Sequence, residues 1–216
     1  VKSSKLVHEF LGTAILLIAI TGSSYMAAEL TSDLALALLI NAVVTGATLA
    51  VLIKSSVEQS GAHFNPAVSL AALITKRIDK NDFLRYLAAQ FSGAILGVGI
   101  ANTMFHDSSF VTSGIERSGG PQLLGEVIAT SGLIYLALKS SRKTVWKLIP
   151  LWIFAAYFFT VSTSFANPAV TVARSFTAAP AGISPNSISW FVITQVGVAI
   201  VVALVFKTGI KKAKYT

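Results

Sequence analysis

Two short stretches carry residue types that could handle a polar solute. Asn65-Pro66-Ala67 and Asn167-Pro168-Ala169 each set a carboxamide, with an NH2 that donates and an oxygen that accepts, at the head of a run of small apolar residues. Proline suits the first helical position, where the N–H it lacks would have no intrahelical partner, and Asn before it is a favoured N-cap. Each motif therefore predicts a helix start whose side-chain oxygen is held by local backbone, leaving an amide N–H to donate elsewhere. One such tripeptide is a common cap. The longer stretches GAHFNPAVSLAALI at 61–74 and TSFANPAVTVARSF at 163–176 make it a repeat.

Glu9 and Glu126 are the other notable groups, because an ionisable side chain inside an apolar span is costly and needs a partner. They read either as a proton relay or as structural acceptors. His63 precedes the first motif by two residues, but no second His or carboxylate is spaced to join it on a metal, and loop packing is the simpler reading. No Ser-His or Asp-Asp pairing, metal-ligand pair or phosphate loop is present, so neither an intramembrane enzyme nor a bound metal or cofactor is expected.

The elements that must position these groups are membrane spans. With 54% hydrophobic and only 12% charged residues, the chain is more apolar than a soluble domain requires. Six runs, at 8–26, 34–53, 84–105, 121–138, 146–163 and 188–206, approach the length needed to cross and read as helices. The first run, following Lys2 and Lys5, also resembles a signal peptide with a processing site at Ala27 and Ala28, but the repeat requires this segment. The net charge of +8 does not point to nucleic acid, since the basic residues cluster between apolar runs without interleaved aromatics. All Lys and Arg except Arg117 and Arg174 fall on the side of the termini, which predicts cytoplasmic termini. Trp146, Trp152, Trp190 and Tyr215 read as interface anchors or lipid-facing bulk.

The repeat extends beyond the motifs. EFLGT at 9–13 returns as EVIAT at 126–130, and Ala89-Gln90 has its counterpart in Thr194-Gln195. The whole of 1–216 therefore reads as one membrane domain of two halves, 1–105 and 121–216, and an odd number of spans per half inverts the second. After each motif only about ten helix-compatible residues follow, Ala67 to Thr75 and Ala169 to Ala178, or about 15 Å of helix. Half-helices entering from opposite faces would bring two positive dipole ends together at mid-membrane and oppose cations.

The paired Asn-Pro-Ala motifs, the glutamates of spans one and four and the GxHFNPAV context resemble the aquaporin, or major intrinsic protein, family over nearly the whole chain. The resemblance implies an all-α hourglass of six tilted transmembrane helices and two re-entrant half-helices, assembled as a homotetramer in membrane lipid with one pore per subunit. It implies that Glu9 and Glu126 accept from loop N–H groups, and that water and small neutral solutes are the partners. Selectivity in such pores comes from diameter, lining hydrogen-bond groups and half-helix dipoles.

Water-selective and glycerol-conducting relatives place an Arg directly after the second motif, where this chain has Val170. Ungapped comparison with the family pattern puts Thr45 at the span-two filter position, Ala155 at the span-five position and Ser164 on the re-entrant loop. All four are small, so a wide pore is expected. Arg174, one helical turn and about 6 Å farther out, either supplies the missing charge or snorkels to the interface. The stretch STSFANPAVTVARSFT resembles bacterial aquaporins associated with arsenic-resistance gene clusters, which implies a bacterial inner membrane and solutes such as glycerol-sized polyols or arsenite. The alternative is a proton-coupled secondary transporter, for which Glu9 and Glu126 are the only acids within spans. A tetramer without conduction is the remaining reading.

Overall fold

The computed structural model describes residues 2–105 and 108–213, and all regular structure among them is helical. Lys214 and Tyr215 lie outside the described residues. The helices are α1 (Lys2–Leu30), α2 (Leu34–Ser56), α3 (Pro66–Ile74), α4 (Lys80–Phe105), α5 (Gly120–Lys139), α6 (Val145–Phe159), α7 (Pro168–Ala173) and α8 (Pro185–Ala213), with a 3-10 turn at Arg174–Phe176 after α7. Five of them, α1, α2, α4, α5 and α8, are long and apolar enough to cross a membrane.

Helix starts follow local chemistry. Pro66, Pro121, Pro168 and Pro185 each stand in the first turn of a helix, where their fixed φ is already helical. Asp33 opens α2 by accepting from the N–H groups of Ala35 and Leu36 at 2.8 and 3.0 Å, so α1 and α2 are joined by a tight corner.

The fifth span departs from expectation. The apolar pattern predicts a helix over 146–163, whereas α6 ends at Phe159 after 15 residues, about 22 Å of rise. There the Thr160 hydroxyl donates to the Ala156 carbonyl at 2.6 Å and the chain turns into the loop before Asn167, whose backbone continues inward without being helical. α7 is likewise shorter than the expected stretch to Ala178, giving way to the 3-10 turn at Arg174.

Packing repeats across the two halves. α1 packs on α2 and α4 as α5 packs on α6 and α8, α3 lies against α8 as α7 lies against α4, and α2 meets α6 across the middle. Close approach requires glycine in the first half: a Cβ on Gly93 or Gly97 of α4 would fall 2.3 Å from the carbonyl oxygen of Phe10 or Ala14 in α1. Outward faces carry Leu34, Val51, Leu151, Trp190, Ile193 and Val201, all exposed, as a lipid-facing surface requires. Trp152, half-buried, fills the notch at Gly132 and donates from its indole nitrogen to the Ala129 carbonyl at 2.9 Å, fastening α6 to α5.

Candidate functional site

At the centre of the fold α3 and α7 meet end to end. Asn65 and Asn167 have extended backbones (φ −158° and −155°), and their side-chain oxygens accept from Ala67 N–H at 2.8 Å and Ala169 N–H at 2.9 Å. The amide nitrogens reach across the molecule: Asn65 Nδ2 donates to the Ala166 carbonyl at 2.8 Å and Asn167 Nδ2 donates to the Phe64 carbonyl at 2.9 Å. One N–H of each amide thus ties a loop to its opposite number, which leaves a second N–H on each side chain. Both asparagines line the cavity described below.

The carbonyls that receive these bonds belong to strained loops. Ala62 and Phe64 (φ 51° and 49°) and, at the equivalent positions, Ser164 and Ala166 (φ 54° and 46°) adopt left-handed backbone, each at a cost of about 1–3 kcal/mol. Glu9 and Glu126, fully buried, hold this geometry. Glu9 accepts from His63 N–H and Ser60 Oγ on one oxygen (3.0 and 2.7 Å) and from Phe64 N–H and Gln90 Nε2 on the other (2.7 and 2.8 Å). Glu126 accepts from Phe165 N–H at 3.0 Å, and its second oxygen accepts from Ala166 N–H and Gln195 Nε2 at 2.9 and 2.6 Å. Gln90 and Gln195 also donate to Ser69 and Thr171 on the half-helices, both at 2.9 Å. Each carboxylate is therefore engaged on both oxygens by loop and helix donors.

A cavity of about 500 Å³ runs from Lys5, Glu58 and Arg142 past Asn65 and Asn167 to Val170 and Arg174. Near its start Arg142 and Glu58 form an exposed ion pair at 2.9 Å, and His63 packs edge-on to Tyr86 while its Nδ1 lies 3.0 Å from the Ser69 hydroxyl. Among the described residues no group of three His, Cys, Asp or Glu side chains could hold a metal ion.

The far end differs from the sequence expectation. Thr45, Ser164 and Val170 line it, but Ala155 does not: it is exposed on the outside of α6, and Ile149, Ile153 and Tyr157 face inward instead. Residues four apart share a helix face, so once Tyr157 points in, Ala155 must point away. Hence one wall is aromatic, with the Tyr157 hydroxyl 3.2 Å from that of Thr45. Arg174 does not snorkel. It is 2% exposed, lies with its guanidinium carbon 3.6 Å from the centroid of Phe165, and donates from Nε to the Ala181 carbonyl. Tyr157 was legible as part of the four-residue stripe Ile149, Ile153, Tyr157; Arg117, whose guanidinium approaches the same Phe165 ring at 5.1 Å, has no comparable signal.

Comparison with known proteins agrees with this geometry. The family described as Major intrinsic protein matches residues 2–164. Aquaglyceroporin AqpS of Rhizobium meliloti (strain 1021) is 46% identical over 192 residues, covering 88% of this chain and 82% of that protein. Aquaporin A of Dictyostelium discoideum is 33% identical over 167 residues, 73% of this chain and 60% of that protein. The X-ray structure of the aquaglyceroporin from Plasmodium falciparum shares the fold with a TM-score of 0.74 over 96% of each chain, at 20% identity. Five helices of membrane-crossing length with the shorter apolar α6, two capped half-helices joined by reciprocal amide bonds, and these likenesses place the chain in the major intrinsic protein family of membrane channels.

Proposed function

We propose that this chain is a passive channel for water and small neutral solutes whose outer end admits glycerol-sized polyols and trivalent metalloid hydroxides such as arsenite. The observation that carries the reading is Val170, an aliphatic side chain at the outer end of the cavity with Ser164 and Thr45. Val170 gives a solute neither a fixed charge nor a long side chain, although Tyr157 keeps one wall firm. The similarity to a protein named an aquaglyceroporin supports a solute range beyond water. Cation exclusion rests on two positive features: the facing starts of α3 and α7, and Arg174 one turn outward from Val170.

The same reading sets the chain in the cell membrane of a bacterium as a homotetramer with both termini in the cytoplasm, supported by the basic residues gathered on the terminal side. Proton-coupled transport is disfavoured because both intraspan carboxylates already hold loop donors. Swelling of proteoliposomes in gradients of sorbitol, glycerol, urea and arsenite tests the proposal. Glycerol and arsenite should enter and sorbitol should not, with rates indifferent to a proton gradient. Protein that passes water and excludes glycerol would refute the wide outer end, and proton-driven uptake would refute passivity.

A further inference from the structure

Residues 180–182 cross the outer end between the 3-10 turn and α8 without regular structure, so their carbonyls must find partners outside a helix or sheet. Arginines supply them. Arg117, on the connection leading to α5, donates from Nε to the Gly182 carbonyl at 2.8 Å and from Nη2 to the Pro180 carbonyl at 3.2 Å. Arg174 takes the carbonyl between them, that of Ala181. Both guanidinium groups also rest against Phe165, which is itself fixed by its N–H to Glu126 and by an edge contact with Phe191 at 5.3 Å between centroids.

The two arginines are not equivalent. Arg174 lines the cavity and Arg117 does not. Among the described residues no carboxylate forms an ion pair with either, and none offers a hydrogen-bond partner to the Nη atoms of Arg174. They are left for the solute path. Arg117 is bound into its surroundings instead: its own N–H donates to Ser187 Oγ at 3.0 Å, that hydroxyl donates to Glu116 at 3.0 Å, and Ser184 N–H donates to the Ile115 carbonyl at 2.6 Å.

We propose that Arg117 is a positioning residue for the pore's outer cation: by holding the carbonyls on either side of Ala181 and flanking Phe165, it fixes where Arg174 sits and thereby the channel's exclusion of cations. Arg117 acts through Arg174 and touches no solute. The proposal rests on the reading of Arg174 as a filter residue, and the test separates the two.

Arg117→Gln, Arg174→Met and the double variant are reconstituted, and methylammonium permeability is read relative to water permeability, which also normalises for folded protein. Each single variant should raise that ratio roughly threefold to tenfold, and the double variant should match Arg174→Met alone, since residues acting in one network are not additive. A double variant showing the product of the two single effects would make Arg117 an independent charge and overturn the proposal. A rise in Arg174→Met with none in Arg117→Gln would overturn the positioning role while leaving Arg174 in the filter. No change in Arg174→Met would remove Arg174 from the filter, and the positioning role with it. If Arg117→Gln fails to reconstitute, Arg117→Lys replaces it: a lone ammonium keeps the charge but not the paired carbonyl bonds, so the ratio should still rise, and a wild-type ratio would overturn the proposal.

Discussion

Replacing Glu126 by Gln and by Leu should separate bracing from proton transfer. In the wild type one oxygen accepts from Phe165 N–H and the other from Ala166 N–H and Gln195 Nε2. Gln keeps one oxygen. Its best placement retains the pair from Ala166 and Gln195 and turns the new NH2 toward the Ser162 hydroxyl oxygen, so of the three donors only the Phe165 N–H is orphaned. Leu orphans all three. Both variants remove the same buried charge, so the relief of its desolvation cancels between them. What remains is two further unsatisfied donors in Leu, each costing about 1–3 kcal/mol, or about 2–6 kcal/mol together. For a chain of this size 1 kcal/mol shifts the melting temperature by about 2–4 °C, so Glu126→Leu should melt roughly 5–20 °C below Glu126→Gln in detergent, with Gln retaining most of its water flux. Trp fluorescence and stopped-flow swelling measure the two quantities. Equal melting of the two variants would refute bracing, and a Gln variant of normal stability with no flux would establish a proton role.

Other substitutions test other parts of the structure. Val170→Arg should cut glycerol flux about tenfold or more while sparing much of the water flux, because it adds a long charged side chain at the outer end of the cavity; unchanged glycerol entry would show that Arg174 already sets the limit. Gly93→Ala should destabilise by about 1–3 kcal/mol or more, since its Cβ meets the Phe10 carbonyl at 2.3 Å, whereas Gly197→Ala, with nothing within 4 Å, should be neutral or stabilising; equal melting would refute the close crossing of α1 and α4. Asn167→Asp should raise cation leak several-fold, because it removes the donor to the Phe64 carbonyl and places an acceptor of negative charge at the start of α7, and tight exclusion of protons in that variant would count against the dipole barrier.

What could be read from the sequence was local or repeated. The caps at Asn65 and Asn167, the prolines that start helices and the paired glutamates depend on near neighbours or on the second copy, and the family match and the helical architecture agree with them. Ala155 shows the limit. Which face of α6 looks inward depends on where the helix stops, and the turn at Thr160 is set by a hydroxyl–carbonyl bond that no hydropathy pattern encodes. Arg174 was ambiguous for a related reason, because its resting place needs Phe165 and the Ala181 carbonyl, both brought in by tertiary folding. The packing of Trp152 into the notch at Gly132 is likewise tertiary and has no local signal.

The crossed amide bonds bear on how the chain is made. Asn65 gives its N–H to Ala166, and Phe64 receives one from Asn167, partners more than 100 residues downstream. While the ribosome is still adding α4, the loop before α3 has Glu9 and Gln90 to shape it, but its tip lacks both an acceptor and a donor. The first half is therefore inserted with its deepest loop unfinished, and that loop closes only when the 163–167 segment arrives from the opposite leaflet. The crossing of the two halves is thus among the last contacts that synthesis of the chain can complete, and it depends on both of them.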